Sequence, residues 1–228
     1  MLISILTLFP EMFQGPFDHS IIKQAQIKKL VEIEFINIRK FGFGKHHQVD
    51  DTPYGGGIGM VMRVDVVNAA LQSTLRPKLT KRKIILTSAK GKIYKQSTAK
   101  EYAQLDHLII ICGHYEGVDE RILNFIDEEI SIGEFILTGG EIPAMMITDS
   151  VTRLLDGVLK KDATDLESFS LCEKDSNQML LEYPHYTRPA KYEGVEVPKV
   201  LTEGNHKKIT NWRMQQAKIN SSKHQSQS

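Results

Sequence analysis

Three segments of the chain join an apolar, β-branched run to a glycine-flanked polar loop. They are "KIILTSAKG" at 83–91, "LIIICGHYEGVDER" at 108–121 and "SIGEFILTGGEIPAM" at 131–145. In the second segment the strand-like run stops at Cys112 and opens onto a loop that carries His114 and Glu116. Glycine in such loops lets backbone amides and carbonyls approach a ligand closely. The pattern favours a binding crevice with walls of main chain, although each glycine taken singly is also explained by turn geometry.

Strand-like and helix-like segments alternate along most of the chain. Strands are predicted at 2–9, 31–38, 83–87, 107–112 and 129–132, and helices at 19–30, 64–74, 96–105, 118–125 and 142–155. The strands are continuously apolar, which is typical of a parallel sheet covered on both faces by helices. In such an α/β fold, ligands bind outside the carboxyl ends of the strands. We therefore expect the three glycine loops to line one crevice.

Composition and length indicate an ordinary globular protein. The chain has 228 residues, of which 41% are hydrophobic and 25% charged, enough for one full core and an appendage. The apolar segment at the start has no basic residues before it and is interrupted by Pro10 and Glu11. It is therefore predicted to be a first strand rather than a signal peptide. No apolar run approaches the roughly 18 residues of a membrane span. Cys112 and Cys172 do not form a disulfide framework, and we expect a cytoplasmic protein with no membrane partner.

Positive charge is concentrated in one segment. The net charge is +1, but residues 76–100 hold nine basic side chains and no acidic one. Such an asymmetry either presents a positive face to phosphates or forms an ordinary solvated surface.

After about residue 159 the periodic pattern ends. A polar stretch at 160–179 is predicted to be a flexible linker, and 180–220 a small, mainly helical domain rich in Pro, Tyr, His and basic side chains. The low-complexity residues 221–228 are predicted to be a disordered tail. Residues 1–159 form the predicted α/β domain.

Six ordered motifs resemble the bacterial tRNA (guanine-N(1)-)-methyltransferase family. They are "VDDTPYGGGIGM", "CGHYEGVDERI", "SIGEFILTGGEIPAM", "DSVTRLL", "LEYPHYTRP" and "LTEGNHKKITNWR". The resemblance implies an enzyme that methylates the guanosine immediately 3′ to the anticodon of tRNA. It also implies S-adenosyl-L-methionine as methyl donor, a trefoil knot at the end of the sheet (the SPOUT fold), and a homodimer with active sites between subunits.

The resemblance assigns a cofactor pocket to the three glycine loops. The implied residues are Leu86, Ser88, Gly113, Tyr115, Glu116, Gly117, Ile132, Gly133, Phe135, Leu137, Gly139 and Gly140. For the RNA it implies substrate contacts at Gly56, Gly57, Gly59, His185, Tyr186 and Arg188. Tyr186 would stack on a splayed base, and Arg188 would meet a phosphate or a base edge.

The resemblance also implies a catalytic arginine and a catalytic carboxylate. Arg153 matches the family's arginine donor, although by itself it would be interpreted as an ion pair with Asp149 on a helix. The family's usual Asp-Ser-Phe is "ESF" here, which puts Glu167 in the position of the base. Glutamate has nearly the basicity of aspartate but one more methylene. Asp165 remains the rival base.

Further departures from the family lie around the predicted site. Ile58 and Ala89 stand where prolines are usual, which removes a φ restraint at each position. "SLCEKDSNQ" at 170–178 resembles an insertion, and the carboxyl end is short. The pair His46 and His47 lies beside two aspartates in a glycine-rich loop, and we do not interpret it as a metal site.

Two other functions are considered. A Rossmann-type nucleotide enzyme would use "GGGIG", but that run follows Asp-Thr-Pro rather than a strand. The second is a non-catalytic or weakened RNA-binding homologue of the same fold, in which Glu167 and a looser pocket have cost activity.

Overall fold

The computed structural model describes residues 1–160, 163–165, 167–172 and 179–225. The chain forms two compact units, Met1–Leu159 and Lys160–Ser228.

A five-stranded parallel sheet forms the centre of the first unit. Its strands are β1 (Leu2–Thr7), β2 (Glu32–Asn37), β5 (Arg82–Ile93), β6 (His107–Cys112) and β7 (Glu128–Ser131). Their order across the sheet is β2-β1-β6-β5-β7, and every pairing is parallel. Two short strands, β3 (Asp50–Asp51) and β4 (Val61–Met62), form a separate antiparallel pair. The predicted parallel α/β sheet is therefore confirmed.

Strand β6 lies in the middle of this sheet. All six of its residues are fully buried, and Ile110 lies opposite Ile5 of β1 and Ile85 of β5. A strand covered on both faces has no polar side, which is why the sequence "HLIIIC" shows no alternation.

Helices cover both faces of the sheet, as predicted. They are α1 (Ser20–Ile27), α2 (Val64–Thr74), α3 (Gln96–Tyr102) and α4 (Glu141–Thr152). Helices α1, α3 and α4 bury side chains in one hydrophobic cluster, whereas α2 buries its apolar stripe in the other. Along α2, Val66, Val67, Ala70 and Leu71 follow helical spacing and are all buried.

The helix predicted at 118–125 is wrong in type and length. The structure has a short 3-10 helix, Glu120–Asn124, whose first turn is capped by the Asp119 carboxylate accepting a hydrogen bond from the Arg121 backbone amide. Val118 instead forms an extended bridge with Met62. Because Val118 is held in this extended bridge, a helix cannot begin there, and only the short 3-10 helix forms.

The described residues of the second unit form two short strand pairs, a 3-10 helix (Lys199–Leu201) and one long helix. Strands β8 (Leu171–Cys172) and β9 (Met179–Leu180) pair, as do β10 (Lys191–Tyr192) and β11 (Val195–Glu196), and the helix is α5 (His206–Gln225). Leu171, Leu180 and Ala217 form its small core.

Helix α5 continues through 221–225, so the predicted disordered tail is wrong for those residues. The Ser221 hydroxyl is buried, accepts a hydrogen bond from the Leu181 amide at 2.8 Å and donates one to the Ala217 carbonyl at 2.8 Å. This tertiary contact extends the helix beyond what its polar sequence indicates. Residues 173–178 of the predicted insertion and 226–228 of the tail lie outside the described residues.

Within the described ranges, no helix is both long enough and apolar enough to span a bilayer.

Candidate active site

A cavity of about 530 Å³ opens beside the ends of β6 and β7 and the irregular middle of β5, whose register with β7 shifts between Thr87 and Lys92. Its volume is within the range of about 300–1,000 Å³ typical of small-molecule sites. All twelve residues predicted to hold the cofactor line it: Leu86, Ser88, Gly113, Tyr115, Glu116, Gly117, Ile132, Gly133, Phe135, Leu137, Gly139 and Gly140. The expectation that the three segments line one crevice is confirmed, whereas their contact with a cofactor stays a prediction. The first segment is not a loop, because the strand predicted at 83–87 continues as β5 to Ile93, and Gly91 is not among the lining residues.

Main-chain groups join the loops at the floor of this cavity. The Gly140 amide donates to the Gly113 carbonyl at 2.9 Å, and the Gly113 amide approaches the Thr87 hydroxyl at 3.4 Å. A β-carbon on Gly140 would lie 2.7 Å from the Cα atom of Cys112 and 2.8 Å from the Gly113 nitrogen. Since a real side chain cannot approach backbone that closely, the floor requires glycine at this position.

The loop after β6 is tethered to the glycine-rich loop at 55–59. The Glu116 amide donates to the Met60 carbonyl at 3.0 Å, and the Met62 amide donates to the Gly117 carbonyl at 2.9 Å. A β-carbon on Gly59 would lie 2.6 Å from Cγ of Glu116. The loop that carries the predicted substrate contacts Gly56, Gly57 and Gly59 therefore lies beside the predicted cofactor loop.

The same glycine-rich loop is open to solvent. Tyr54 is fully exposed and Ile58 is 95% exposed. Gly56 and Gly57 have φ angles of 81° and 134°, a region that favours glycine. An exposed loop next to a cavity suits contact with a large substrate, and its role in substrate binding stays a prediction.

A pair formed by the half-buried His114 and the buried Glu141 lies against the cavity. Nε2 of His114 is 2.8 and 2.7 Å from the two carboxylate oxygens of Glu141, and the Thr7 hydroxyl donates to the same carboxylate at 2.6 Å. Glu141 is only 1% exposed. Burial opposes its ionisation, but the hydrogen bonds from His114 and Thr7 outweigh that effect and hold its pKa below the usual value.

The sequence did not indicate this pair. His114 is in a quoted motif, but a lone histidine in a loop does not reveal its partner, and Glu141 resembles an ordinary acidic residue in the first turn of a helix. Their one shared signal is proximity to glycines. A β-carbon on Gly139 would lie 2.6 Å from Nε2 of His114 and 2.7 Å from Oε2 of Glu141. The glycine therefore makes room for the pair.

The three predicted catalytic residues are divided between the two units. Arg153 is the half-buried residue that ends α4 in the first unit, and its amide donates to the Asp149 carbonyl at 3.1 Å. Asp165 is exposed and Glu167 half-buried in the second unit. The Glu167 carbonyl accepts the amides of Ser170 and Leu171, both at 3.0 Å, which holds Glu167 at the start of a turn. Their catalytic roles stay predictions.

The other predicted substrate residues, His185, Tyr186 and Arg188, belong to the second unit and are aromatic or basic. His185 bonds to Glu182 at 2.7 Å, and the ring of Tyr186 lies 6.2 Å from that of Trp212. Tyr186 is 47% exposed, and Arg188 is exposed. Exposed aromatic rings with nearby cations are typical of surfaces that bind single-stranded RNA.

In the described part of the chain, no group of three or more His, Cys, Asp and Glu side chains is placed to hold a metal ion.

Comparison with known proteins identifies the family. The sequence model described as "tRNA (Guanine-1)-methyltransferase TrmD" matches residues 1–227. The chain belongs to this methyltransferase family. It is 54% identical over 222 residues to the tRNA (guanine-N(1)-)-methyltransferase of Carboxydothermus hydrogenoformans, an alignment that covers 96% of this chain and 84% of that protein. The enzymes of the same name from Bacillus velezensis and Endomicrobium trichonymphae are 53% and 47% identical.

These relatives match nearly the whole chain. The Bacillus velezensis alignment covers 93% of this chain and 86% of the relative, and the Endomicrobium trichonymphae alignment covers 95% and 94%. Membership of the tRNA (guanine-1)-methyltransferase family thus includes both units, and the resemblance stated from six motifs is confirmed.

Proposed function

We propose that this protein transfers a methyl group from S-adenosyl-L-methionine to N(1) of the guanosine immediately 3′ to the anticodon of tRNA. The observation that carries the proposal is the convergence of the middle of β5 and the glycine loops after β6 and β7 on one cavity in a chain of this family. A tRNA substrate also implies a cytoplasmic location.

The cavity fits the methyl donor in its chemistry. Its floor is backbone at Gly113 and Gly140, and a side chain at Gly140 would meet backbone atoms, so a ligand can approach the main chain closely there. Apolar side chains such as Leu86 and Ile132 form other parts of the lining. When bound, S-adenosyl-L-methionine supplies an electrophilic methyl group on a sulfonium. Leu86, Ile132 and the glycine backbones would hold the ligand against the carboxyl edge of the sheet.

The target nitrogen requires a base and a hydrogen-bond donor. Guanine N(1) carries a proton, and negative charge develops on the exocyclic oxygen as that proton leaves. In the proposed mechanism the Glu167 carboxylate accepts the N(1) proton, and the Arg153 guanidinium donates to the oxygen. A positioned base is worth about 10²- to 10⁴-fold in rate, and one preorganised donor about 10²- to 10³-fold.

The proposed functional form is a homodimer with active sites between subunits. An apolar patch around the start of α4 supports this, since Ile136 is 83% exposed and Phe135, Ile142 and Met146 are each about half exposed. Apolar side chains clustered on a surface mark interaction sites, and a symmetric dimer covers such a patch with its own copy. The trefoil knot at the end of the sheet is proposed from family membership.

For the RNA we propose contacts on both units. Gly56, Gly57 and Gly59 would contact the tRNA from the loop beside the cavity, and His185, Tyr186 and Arg188 from the second unit. The target guanine is expected to flip out, because its N(1) edge is otherwise inaccessible in a stacked loop.

The test is single-turnover methyl transfer from labelled S-adenosyl-L-methionine to a tRNA transcript with guanosine 3′ to the anticodon. Label should appear on that guanine and be absent from a transcript with adenosine there. Glu167→Gln should lower the rate by about 10²- to 10⁴-fold, whereas its matched control Asp165→Asn should change it little. The reverse ranking would assign the base to Asp165.

Arg153→Ala should lower the rate by about 10²- to 10³-fold and leave donor affinity largely intact. Loss of donor affinity instead would give Arg153 a structural role. Binding of donor and tRNA without any transfer would overturn the enzymatic proposal and favour a non-catalytic RNA-binding homologue.

A further inference from the structure

We propose that His114 and Glu141 are positioning residues for the methyl-donor crevice, acting as a hydrogen-bonded clamp that holds its floor in shape. The inference rests on the proposed function, because it assigns the clamp to the donor pocket. Neither side chain is among the residues implied by the resemblance.

The clamp joins three segments that meet at the carboxyl edge of the sheet. Glu141 begins α4, His114 follows β6, and Thr7 ends β1. The Thr7 hydroxyl donates to Glu141 at 2.6 Å and accepts the Phe9 amide at 2.9 Å. The ring of Phe9 in turn packs edge-on against that of His114, with centroids 5.0 Å apart. The contacts therefore form a closed circuit, in which moving any one segment disturbs the other two.

His114 contacts Glu141 through one ring nitrogen, Nε2, which is its only hydrogen-bond donor to that carboxylate. Both carboxylate oxygens lie within 2.8 Å of Nε2, so this nitrogen must carry the proton that donates to the ionised carboxylate. A hydrogen bond to a buried charged group is among the stronger ones in proteins, and an unpaired carboxylate at 1% exposure would be costly. The pair is therefore held together at neutral pH.

The clamp reaches the cavity through its neighbours. His114 lines the cavity itself, and it immediately precedes Tyr115 and follows Gly113, two residues of the predicted cofactor pocket. Glu141 immediately follows Gly140, whose amide binds the Gly113 carbonyl at 2.9 Å. Rotation of His114 away from Glu141 would thus shift both sides of the floor. The arrangement acts on the shape of the binding site without requiring that either side chain touch the methyl group.

A matched pair of amide substitutions tests the clamp. Glutamine at position 114 can place its amide nitrogen where Nε2 lies and still donate to Glu141, whereas asparagine is too short to reach. We expect His114→Asn to weaken donor binding about ten- to a hundred-fold, and His114→Gln to retain affinity within about three-fold. Affinity for tRNA should be unchanged in both, measured on the full chain by calorimetry with S-adenosyl-L-methionine and by filter binding with the transcript.

The outcomes distinguish a failure of the clamp proposal from a failure of the proposed function. Equal donor affinity in the two variants would overturn the clamp, whether both bind normally or both bind weakly. Failure of the unaltered chain to bind S-adenosyl-L-methionine would instead refute the proposed donor site itself. A parallel loss of tRNA affinity would indicate a general structural defect and would also overturn a specific positioning role.

A second variant approaches the clamp from the other end and carries the test if His114→Asn does not fold. Thr7→Val removes one donor to Glu141 and leaves His114 in place. Donor affinity should fall about three- to ten-fold. Unaltered donor affinity in a folded Thr7→Val protein would overturn the proposal.

Discussion

The two ends of β6 carry similar polar clusters with different surroundings. At the amino end, the Ser4 hydroxyl lies 2.6 Å from Nε2 of His107 and donates to Glu34 at 2.6 Å. Beyond the carboxyl end, Thr7, His114 and Glu141 repeat the same three kinds of group. Both hydroxyls come from β1, yet the second cluster alone includes a residue that lines the large cavity.

The histidine at the amino end is sealed. His107 is fully buried, and its Nδ1 atom has no hydrogen-bond partner. Burial is the main cause that lowers its pKa, because a second proton would place an unpaired donor in the interior. The cluster therefore contributes to stability, and nothing about it suits a ligand.

A hydroxyl, an imidazole and a carboxylate in contact therefore do not by themselves make a binding site. At the carboxyl edge, the loops after β6 and β7 line one space, and Gly113, Gly139 and Gly140 place backbone at its wall. Loops that leave the carboxyl ends of parallel strands create such crevices. The location in the fold, rather than the residue types, decides which cluster is functional.

The largest effect should come from filling the floor of the crevice. In Gly140→Ala, the added methyl group would meet backbone of Cys112 and Gly113. We expect methyl transfer to fall about 100-fold or more, since displacing reacting groups by about 1 Å can cost that much. Single-turnover kinetics measure the loss.

Gly42→Ala is the matched control, because its methyl group would also meet backbone, at the Gln48 carbonyl oxygen 2.9 Å away, but outside the cavity lining. It should destabilise the fold while donor affinity survives. Loss of donor binding in both variants would show that overpacking alone explains the effect.

A smaller effect should separate the two hydroxyls of β1. Ser4→Ala leaves His107 and Glu34 without their shared partner, whereas Thr7→Val removes a donor to Glu141. Each should cost about 1–3 kcal/mol of unfolding free energy, because a buried polar group loses its hydrogen bond. Only Thr7→Val should also weaken donor binding. Urea unfolding and calorimetry on both proteins measure these effects, and weaker donor binding in Ser4→Ala would break the comparison.

The sealed histidine should make stability depend on pH. The pKa of His107 is lowered from its ordinary value of about 6.5, so below that pH the unfolded chain binds more protons than the folded chain. Stability should therefore fall as the pH is lowered from about 6.5 toward the folded pKa, and this contribution should level off below it. Urea midpoints from about pH 7.5 to about pH 5.5 measure the slope. The slope should be smaller in His107→Gln, and equal slopes in the two proteins would contradict the assignment.

The smallest effect should come from an exposed ion pair in the second unit. Lys191 and Glu196 lie 3.1 Å apart across the β10–β11 hairpin, and both side chains are more than half exposed. Lys191→Ala should change the unfolding free energy by less than about 1 kcal/mol, because solvent and salt screen such pairs. Donor affinity should not change. A larger loss of stability would mean that burial does not govern the strength of polar contacts in this protein.

Much of the α/β unit could be predicted from local patterns. The bounds of β6 and α2 agree with prediction, since one is a continuous apolar run and the other has a helical apolar stripe. The segment at 118–125 was harder, because the bridge from Val118 to Met62 is a long-range contact that local propensity does not contain. The end of α5 could not be predicted from local sequence for the same reason, because the Ser221 hydroxyl accepts a hydrogen bond from the distant Leu181 amide.

The parallel α/β class, the family and the three glycine-containing segments of the candidate pocket could be predicted from local sequence, because they follow from apolar periodicity and from motifs in a fixed order. Only the tertiary structure brought Glu141 together with His114, 27 residues away, and with Thr7, 134 residues away. Strand order and register set those contacts, and both depend on packing across the whole sheet rather than on neighbouring residues. The same packing left His107 buried within the sheet and His114 half-buried beside a cavity.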